Sequence, residues 1–205
     1  MDEKYYEKLL NINTTGEKLW DNTITHYHPY QATAYFALEI LFKQYNLTNN
    51  DYIVDFGCGK GRLNFYINYF FDANVVGIEM DNNYFKDCLI NKENYLKYHN
   101  KKASTIDFKC SLAQDYVIRP EENKFYFFNP FSIQIFRKII KNILSSLDTH
   151  ERKIQLILYY PSEDYIYFLE NNTSFLLLDE IPLDELYFYD INERFLIYEL
   201  NYSCI

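Results

Sequence analysis

The chain has 205 residues, of which 48% are hydrophobic and 24% charged, and this composition fits one folded domain. Its formal net charge of −9 disfavours duplex DNA as a partner, because nucleic-acid affinity comes largely from Lys and Arg. No stretch approaches the ~20 apolar residues of a membrane span. The four cysteines lack metal-type spacing and the N-terminus does not resemble a signal segment, so we expect a cytoplasmic protein without a metal site.

The first fifty residues predict a helical extension or lid. Apolar residues recur at helical spacing in residues 4–10 and again in residues 31–45, so each segment is expected to form a helix. The segment before the second helix contains His28 and Tyr30, which are candidates to close a site formed by the rest of the chain. His26 and His28 lack further ligand residues nearby, so they do not indicate a metal site.

From residue 51 onward, strand-like apolar runs alternate with amphipathic segments, as is typical of β-α-β units around a parallel sheet. The predicted strands are 52–56, 74–79, 106–109, 125–128 and 155–160. The predicted helices are 61–71, 82–101, 132–147 and 162–170. Two further strands, 175–180 and 193–201, are joined by a connection over 182–190 without strong helical periodicity, which predicts an antiparallel hairpin at the far end of the sheet.

The first predicted strand runs directly into a glycine-rich turn, Gly57-Cys-Gly-Lys-Gly61, and then into a helix. Such a turn lets a ligand approach backbone N–H groups at a helix N-terminus. Its spacing differs from the G-x-G-x-x-G of dinucleotide sites, and Arg62 follows the last glycine where a P-loop requires lysine. Asp55 places a carboxylate where a pyrophosphate would sit, which favours a positively charged ligand such as S-adenosylmethionine. Glu79 ends the second strand, where an acidic side chain can accept ribose hydroxyls.

Residues 54–62 together with residues 77–79 resemble the first two motifs of class I, Rossmann-like S-adenosylmethionine-dependent methyltransferases. The resemblance covers about residues 51–201. It implies an α/β fold: a seven-stranded, mostly parallel sheet with an antiparallel last strand and helices on both faces. We therefore predict an N-terminal extension over residues 1–50 and a methyltransferase domain over residues 51–205.

The resemblance also implies roles for individual residues. Asp55 and Gly57 would hold the methionine moiety, Gly59 would complete the turn, and Glu79 would bind the ribose. The candidate cofactor site further includes their chain neighbours Phe56, Cys58, Gly61 and Met80.

The segment after the third strand is the candidate adenine contact. Many family members have an acidic residue here, whereas this chain has Leu112. Leu112 is expected to pack on the adenine face and Ala113 to give a backbone contact, with Gln114 or Asp115 serving the exocyclic amine. A purely structural use of these residues remains the alternative.

Asn129-Pro130-Phe131 follows the fourth strand and is the candidate acceptor side of the site. It resembles the Asn-Pro-Pro-Tyr or Phe motif of methyltransferases that act on planar nitrogens, with one proline missing. In that motif the amide and a proline carbonyl accept hydrogen bonds from the target nitrogen while the ring stacks on it. The alternatives are that the segment only lines the pocket, or that Asn-Pro only terminates the strand.

These observations predict a methyltransferase that uses S-adenosylmethionine and releases S-adenosylhomocysteine. The acceptor is unidentified, with a nitrogen of a protein, small molecule or RNA as the candidates. Direct displacement needs no covalent nucleophile, so Cys58 is expected to be a packing residue and not a catalyst. The alternative is a non-catalytic adenosyl-ligand-binding or scaffold protein with the same fold.

Overall fold

A computed structural model describes residues 3–16 and 31–200 of the chain. In these ranges the helices are α1 (Glu3–Leu10), α2 (Tyr35–Gln44), α3 (Arg62–Phe71), α4 (Asn82–His99), α5 (Ile133–Ser145), α6 (Glu163–Asn172) and α7 (Asp184–Tyr189). The strands are β1 (Tyr52–Phe56), β2 (Asn74–Glu79), β3 (Ile106–Cys110), β4 (Lys124–Phe128), β5 (Gln155–Tyr159), β6 (Phe175–Pro182) and β7 (Arg194–Leu200). Short 3₁₀ helices precede and follow β3, at Ala103–Thr105 and Ala113–Asp115.

The strands form one sheet in the order β3-β2-β1-β4-β5-β7-β6. β1 to β5 pair in parallel, whereas β7 runs antiparallel to both of its neighbours. The predicted seven-stranded sheet with an antiparallel last strand is therefore confirmed. The chain moves outward from β1 to β3 and then returns to the other side of β1 with β4. In open α/β sheets the carboxyl ends of the strands at such a reversal leave a crevice in which ligands bind.

The central strands are buried on both faces, which explains why they read as continuous apolar runs in the sequence. All five residues of β5 are buried, and so are four of the five in β1. Neighbouring positions belong to different sides of the sheet: Ile53 packs in the core layer under α1 to α4, and Val54 packs in the layer under α5 and α6. The sheet thus has helices on both faces, as predicted.

The N-terminal helices share the core of the sheet domain. Tyr6 and Leu10 of α1, together with Leu38 and Leu41 of α2, are buried in the same hydrophobic cluster as Ile53 of β1. Burying a side chain of this size contributes roughly 1.5–3 kcal/mol, so the two helices are well held against the sheet. A domain boundary at residue 50 stays a prediction.

Two segments differ from their predicted form. The second helix begins at Tyr35 instead of residue 31, because the Thr33 side chain shares a 2.7 Å hydrogen bond with the Tyr126 hydroxyl and the Thr33 carbonyl accepts one from Arg62 (3.3 Å). These contacts hold the preceding segment against β4. The connection over 182–190 contains the short helix α7, which has no buried residue. It therefore leaves no apolar periodicity in the sequence.

None of the helices within residues 3–16 and 31–200 is long and apolar enough to cross a membrane.

Candidate active site

The predicted site segments meet at the carboxyl edge of the sheet. The glycine turn follows β1, Glu79 ends β2, Leu112 follows β3 and Asn129 follows β4. Because β1 lies between β2 and β4, Asp55 pairs with residue 77 on one side and residue 126 on the other. The sheet order therefore brings together residues that are far apart in the sequence.

The glycine turn has a backbone conformation that L side chains rarely adopt. Gly57, Gly59 and Gly61 have φ of 80°, 56° and 84°. The turn is fixed by backbone hydrogen bonds: the N–H groups of residues 57 and 58 donate to the Ile78 carbonyl (2.9 and 3.1 Å), and Gly61 donates to Cys58 (2.8 Å). Left-handed backbone at three alternate positions explains the spacing of the glycines.

The glycine turn touches the candidate acceptor segment. A Cβ atom added to Gly57 would lie 2.9 Å from Cβ of Pro130 and 3.8 Å from the ring of Phe131. Only a residue without a side chain permits this approach. The two motifs that the sequence suggested for donor and acceptor are therefore in direct contact.

Two buried carboxyl groups lie beside the turn. Asp55 and Glu79 are 5% and 7% exposed. The two Glu79 oxygens accept hydrogen bonds from the backbone N–H groups of Gly59 (2.9 Å) and Asp81 (2.7 Å). Each carboxylate oxygen can accept a second hydrogen bond, so Glu79 can accept ligand hydroxyls while it braces the turn.

Burial raises the pKa of both carboxyl groups. Burial, followed by repulsion from Glu79, raises the pKa of Asp55 to about 8. Burial also raises the pKa of Glu79 to about 7, although backbone donors at Asp81 and Gly59 oppose the rise. Within the described ranges, no Lys or Arg forms an ion pair with either carboxyl group. Buried carboxylates without a cation are costly, and a cationic ligand would relieve that cost.

Cys58 is a packing residue in this arrangement. It is 7% exposed, and its sulfur would lie 2.6 Å from a Cβ added to Gly77. Cys88 packs beside it and its thiol donates to the Gly59 carbonyl (3.0 Å). Burial raises the pKa of the Cys58 thiol well above its ordinary value, so the thiolate needed for nucleophilic chemistry is disfavoured.

The candidate adenine segment follows β3 closely. Ser111 donates its N–H to the Glu79 carbonyl (3.1 Å), which holds the segment next to the end of β2. Leu112 is 38% exposed and Ala113 is buried. The Gln114 carbonyl accepts a hydrogen bond from Asn142 (2.8 Å), and Met80 is partly buried nearby in the chain. An adenine contact by Leu112 stays a prediction.

The candidate acceptor segment has a distorted backbone and a buried ring. Asn129 has a φ of 37°, a conformation that asparagine tolerates better than most residues. Phe131 is only 4% exposed, and its carbonyl accepts a 2.6 Å hydrogen bond from the Tyr165 hydroxyl. In this structure the Phe131 ring packs under the glycine turn. The surface available to a ligand is therefore formed by Asn129 and Pro130, which are partly exposed.

Two cations within the glycine motif have a role that the sequence did not reveal. Nζ of Lys60 donates to the carbonyls of Thr15 (2.5 Å) and the residue after it (2.6 Å). Arg62 is buried; its Nε donates to the Thr14 hydroxyl (2.8 Å) and its guanidinium lies 4.4 Å from the centre of the Tyr35 ring. The sequence feature that could have indicated this role is the presence of two cations in a motif next to a buried strand, because buried charges require partners.

Two candidates, His28 and Tyr30, lie outside the described residues, so their predicted role in closing the site remains a prediction. Among the residues that the structure does describe, no cluster of three or more His, Cys, Asp or Glu side chains is arranged to hold a metal ion.

No protein-family model matches the chain, and a search of curated proteins gives no match. Solved structures do match. An RNA methyltransferase from Salinibacter ruber in complex with S-adenosyl-L-homocysteine is similar with a TM-score of 0.54 and 14% identity, covering 83% of this chain and 92% of that one. The B. subtilis M1A22 tRNA methyltransferase TrmK is similar with a TM-score of 0.55 and 16% identity, covering 82% of this chain and 64% of that one.

A third neighbour, StiE O-MT, has a TM-score of 0.57 and 11% identity, covering 82% of this chain and 74% of that one. At these identities the similarity shows the fold. The fold is that of Rossmann-like methyltransferases, as the glycine motif and the Glu79 position predicted. The neighbours named here differ in the chemistry that their names indicate, so the fold alone does not assign an acceptor.

Proposed function

We propose that the chain is an S-adenosylmethionine-dependent methyltransferase that acts on a nitrogen atom. The observation that carries the proposal is the pair of buried carboxyl groups, Asp55 and Glu79, beside a glycine turn that contacts Pro130. This combination lies at the reversal of strand order in a methyltransferase fold, where ligands of open α/β sheets bind.

The residues present fit this cofactor. Its ammonium and sulfonium groups supply the positive charge that Asp55 lacks among the described side chains, and its ribose hydroxyls can donate to the free lone pairs of Glu79. The exposed side chain of Leu112 offers an apolar face to the adenine. Bound there, S-adenosylmethionine supplies a methyl group that leaves sulfur without the S–C electron pair and bonds to the lone pair of a nitrogen, whose proton passes to solvent.

The protein's own contribution is binding and orientation. Gly57 lets Pro130 approach the glycine turn closely, so that Pro130 forms one wall of the pocket beside the donor. We expect the backbone carbonyls of Asn129 and Pro130 and the side-chain amide oxygen of Asn129 to accept hydrogen bonds from the target nitrogen. The buried Phe131 ring supports this wall from below. Because the ring is buried, it does not stack on the target nitrogen in this arrangement.

A methyl-transfer experiment tests the proposal. Labelled S-adenosylmethionine is incubated with extract fractions and either the wild type or Asn129→Ala. We expect transfer by the wild type, with a loss of at least about tenfold in the variant, the size of one well-placed catalytic hydrogen bond. Asn50→Ala, an exposed position far from the site in the turn before β1, serves as the matched control.

The same experiment addresses the non-catalytic alternative. A scaffold protein would bind the cofactor by calorimetry and transfer no label to any fraction. No observation on the described residues favours this alternative.

The expected location remains the cytoplasm. Cys58, Cys88 and Cys110 are free thiols, which fits a reducing compartment.

A further inference from the structure

Negative charge is concentrated in one part of the chain. Of its 29 Asp and Glu residues, nine lie within residues 154–193, a segment that contains no Lys or Arg. The rest of the chain then has 20 carboxyl groups against 20 Lys and Arg. The formal net charge of −9 therefore comes entirely from this segment.

The fold brings much of this segment to the acceptor side of the site. The first turn of α6, with Glu163 and Asp164, follows β5 at the carboxyl edge. The connection between β6 and β7 lies at the same edge, where the Tyr160 hydroxyl donates to Asp190 (2.6 Å). Neighbouring strands are about 4.8 Å apart, and β7 is two positions from β4. The connection therefore starts about 10 Å from Asn129.

The surface of this connection is apolar as well as acidic. None of the residues of α7 is buried. Phe188 is 86% exposed and Tyr189 84%, with Leu186 and Ile191 at 40% and 60%. We call these four residues the α7 patch. The rings of Phe188 and Tyr189 are in contact, with centroids 5.4 Å apart. Exposed large apolar side chains grouped in this way are typical of a protein–protein contact surface.

Within residues 3–16 and 31–200, no Lys or Arg forms an ion pair with Asp184, Glu185 or Asp190. Asp184 and Glu185 are exposed on the helix itself. A hydrogen bond from the Tyr160 hydroxyl lowers the pKa of Asp190 below its ordinary value, so this group stays ionised. The cation that ends the connection, Arg194, forms a 2.7 Å ion pair with Glu180.

We propose that the α7 patch and its flanking carboxylates dock a positively charged polypeptide segment that presents the methyl acceptor. This inference rests on the proposed methyltransferase function. Charge complementarity selects the partner: a polyanion such as RNA would be repelled from this rim, whereas Lys and Arg side chains are attracted to it. A small cation would leave the rings of Phe188 and Tyr189 exposed to solvent, whereas apolar side chains of a polypeptide would bury them.

Fluorescence anisotropy with defined probes tests the docking surface. The probes are a short labelled peptide rich in Lys, Arg and Leu, its counterpart with Glu in place of the cations, and an RNA oligonucleotide of similar length. Two variants alter the patch, Asp184→Lys with Glu185→Lys and Phe188→Ser with Tyr189→Ser. The control, Asp148→Lys with Glu151→Lys, makes the same charge change at exposed positions before β5, at the opposite edge of the sheet.

We expect the wild type to bind the basic peptide in preference to both other probes, with an affinity that falls as salt is added. Each patch variant should weaken binding by about tenfold or more, and the control should not. The inference is overturned if the wild type prefers the RNA or does not bind the basic peptide, or if the patch variants bind it as tightly as the wild type. Circular dichroism establishes that the variants are folded.

Cofactor calorimetry on the same proteins separates the two proposals. Docking of the basic peptide without binding of S-adenosylmethionine would contradict the methyltransferase function and leave only the docking surface supported. Cofactor binding without selective docking of the peptide would contradict only the acceptor surface.

Discussion

Asp55→Asn is predicted to separate the stability of the protein from its affinity for the cofactor. The folded protein raises the pKa of Asp55 from 3.8 to about 8, chiefly by burial. A carboxyl group with a raised folded pKa favours the folded state below its unfolded pKa, and this contribution is lost as the pH rises toward the folded pKa. Between about pH 4 and pH 8, the unfolded chain loses the Asp55 proton while the folded protein retains it. This difference destabilises the folded protein in the absence of ligand.

The size of the effect follows from the shift. About 3 pKa units separate the unfolded pKa of Asp55 from pH 7, which corresponds to at most about 4 kcal/mol. Asparagine keeps the shape and removes the charge, so the variant should have a higher melting temperature than the wild type at pH 7, by up to about 16 °C for a chain of this size. At pH 4 the difference should vanish.

Cofactor binding should change in the opposite direction. The ammonium of S-adenosylmethionine needs an ionised Asp55, whose ionised fraction rises about 20-fold between pH 6 and pH 7.5 when the pKa is about 8. The affinity of the wild type should rise by about this factor over the same interval. In Asp55→Asn the rise should be lost, apart from a residual contribution of Glu79.

Thermal denaturation and calorimetry across pH 4 to 8 check both parts. 5′-Methylthioadenosine, which lacks the ammonium, serves as the control ligand and should show little pH dependence with either protein. The reasoning is refuted if Asp55→Asn is less stable than the wild type at pH 7, or if both proteins bind S-adenosylmethionine with the same pH profile.

Three further substitutions test separate parts of the site. Gly57→Ala places a Cβ 2.9 Å from Pro130 at a φ of 80°, so it should lower the free energy of unfolding by about 1–3 kcal/mol and weaken cofactor binding. Calorimetry on the folded variant measures the affinity, and an unchanged affinity would contradict a role of the glycine turn in cofactor binding. Arg62→Met leaves Glu7 and Thr14 without their buried cation and should lower the free energy of unfolding by roughly 3 kcal/mol. A loss below about 0.5 kcal/mol in urea titrations would contradict the stabilising role of these contacts. Glu79→Gln removes an acceptor for ligand hydroxyls while keeping one side-chain oxygen for the turn, so the affinity for S-adenosylhomocysteine should fall at least about tenfold. The wild type and the variant should bind the 2′-deoxyribose analogue of this ligand with equal affinity.

The sheet could be predicted almost completely from the sequence, because buried parallel strands appear as continuous apolar runs separated by amphipathic helices. The glycine positions were equally informative, since left-handed backbone at Gly57 and Gly61 leaves few alternatives to glycine. The hairpin at the far end was predicted from the absence of a long helix between β6 and β7, and the observed pairing agrees.

Features that depend on tertiary contacts were not predictable. The extended segment before α2 is held by Tyr126, a partner more than ninety positions away in the chain. The short helix α7 buries nothing, so it produces no periodic signal. The burial of Phe131 depends on its packing against the glycine turn, which the local Asn-Pro-Phe pattern does not encode.

The pairing of Lys60 and Arg62 with the N-terminal segment belongs to the same class. The sequence does not indicate these partners, and only the folded chain shows that both residues are buried against residues 14–16.

Calorimetric titration of the wild type with S-adenosylmethionine at pH 7.5 tests the central claim most directly. We predict one site per chain, with a dissociation constant on the order of 1–100 μM, and a clear loss of affinity in Asp55→Asn. Absence of binding by both S-adenosylmethionine and S-adenosylhomocysteine at about 1 mM would contradict the assignment of this edge of the sheet as an adenosyl-sulfonium site.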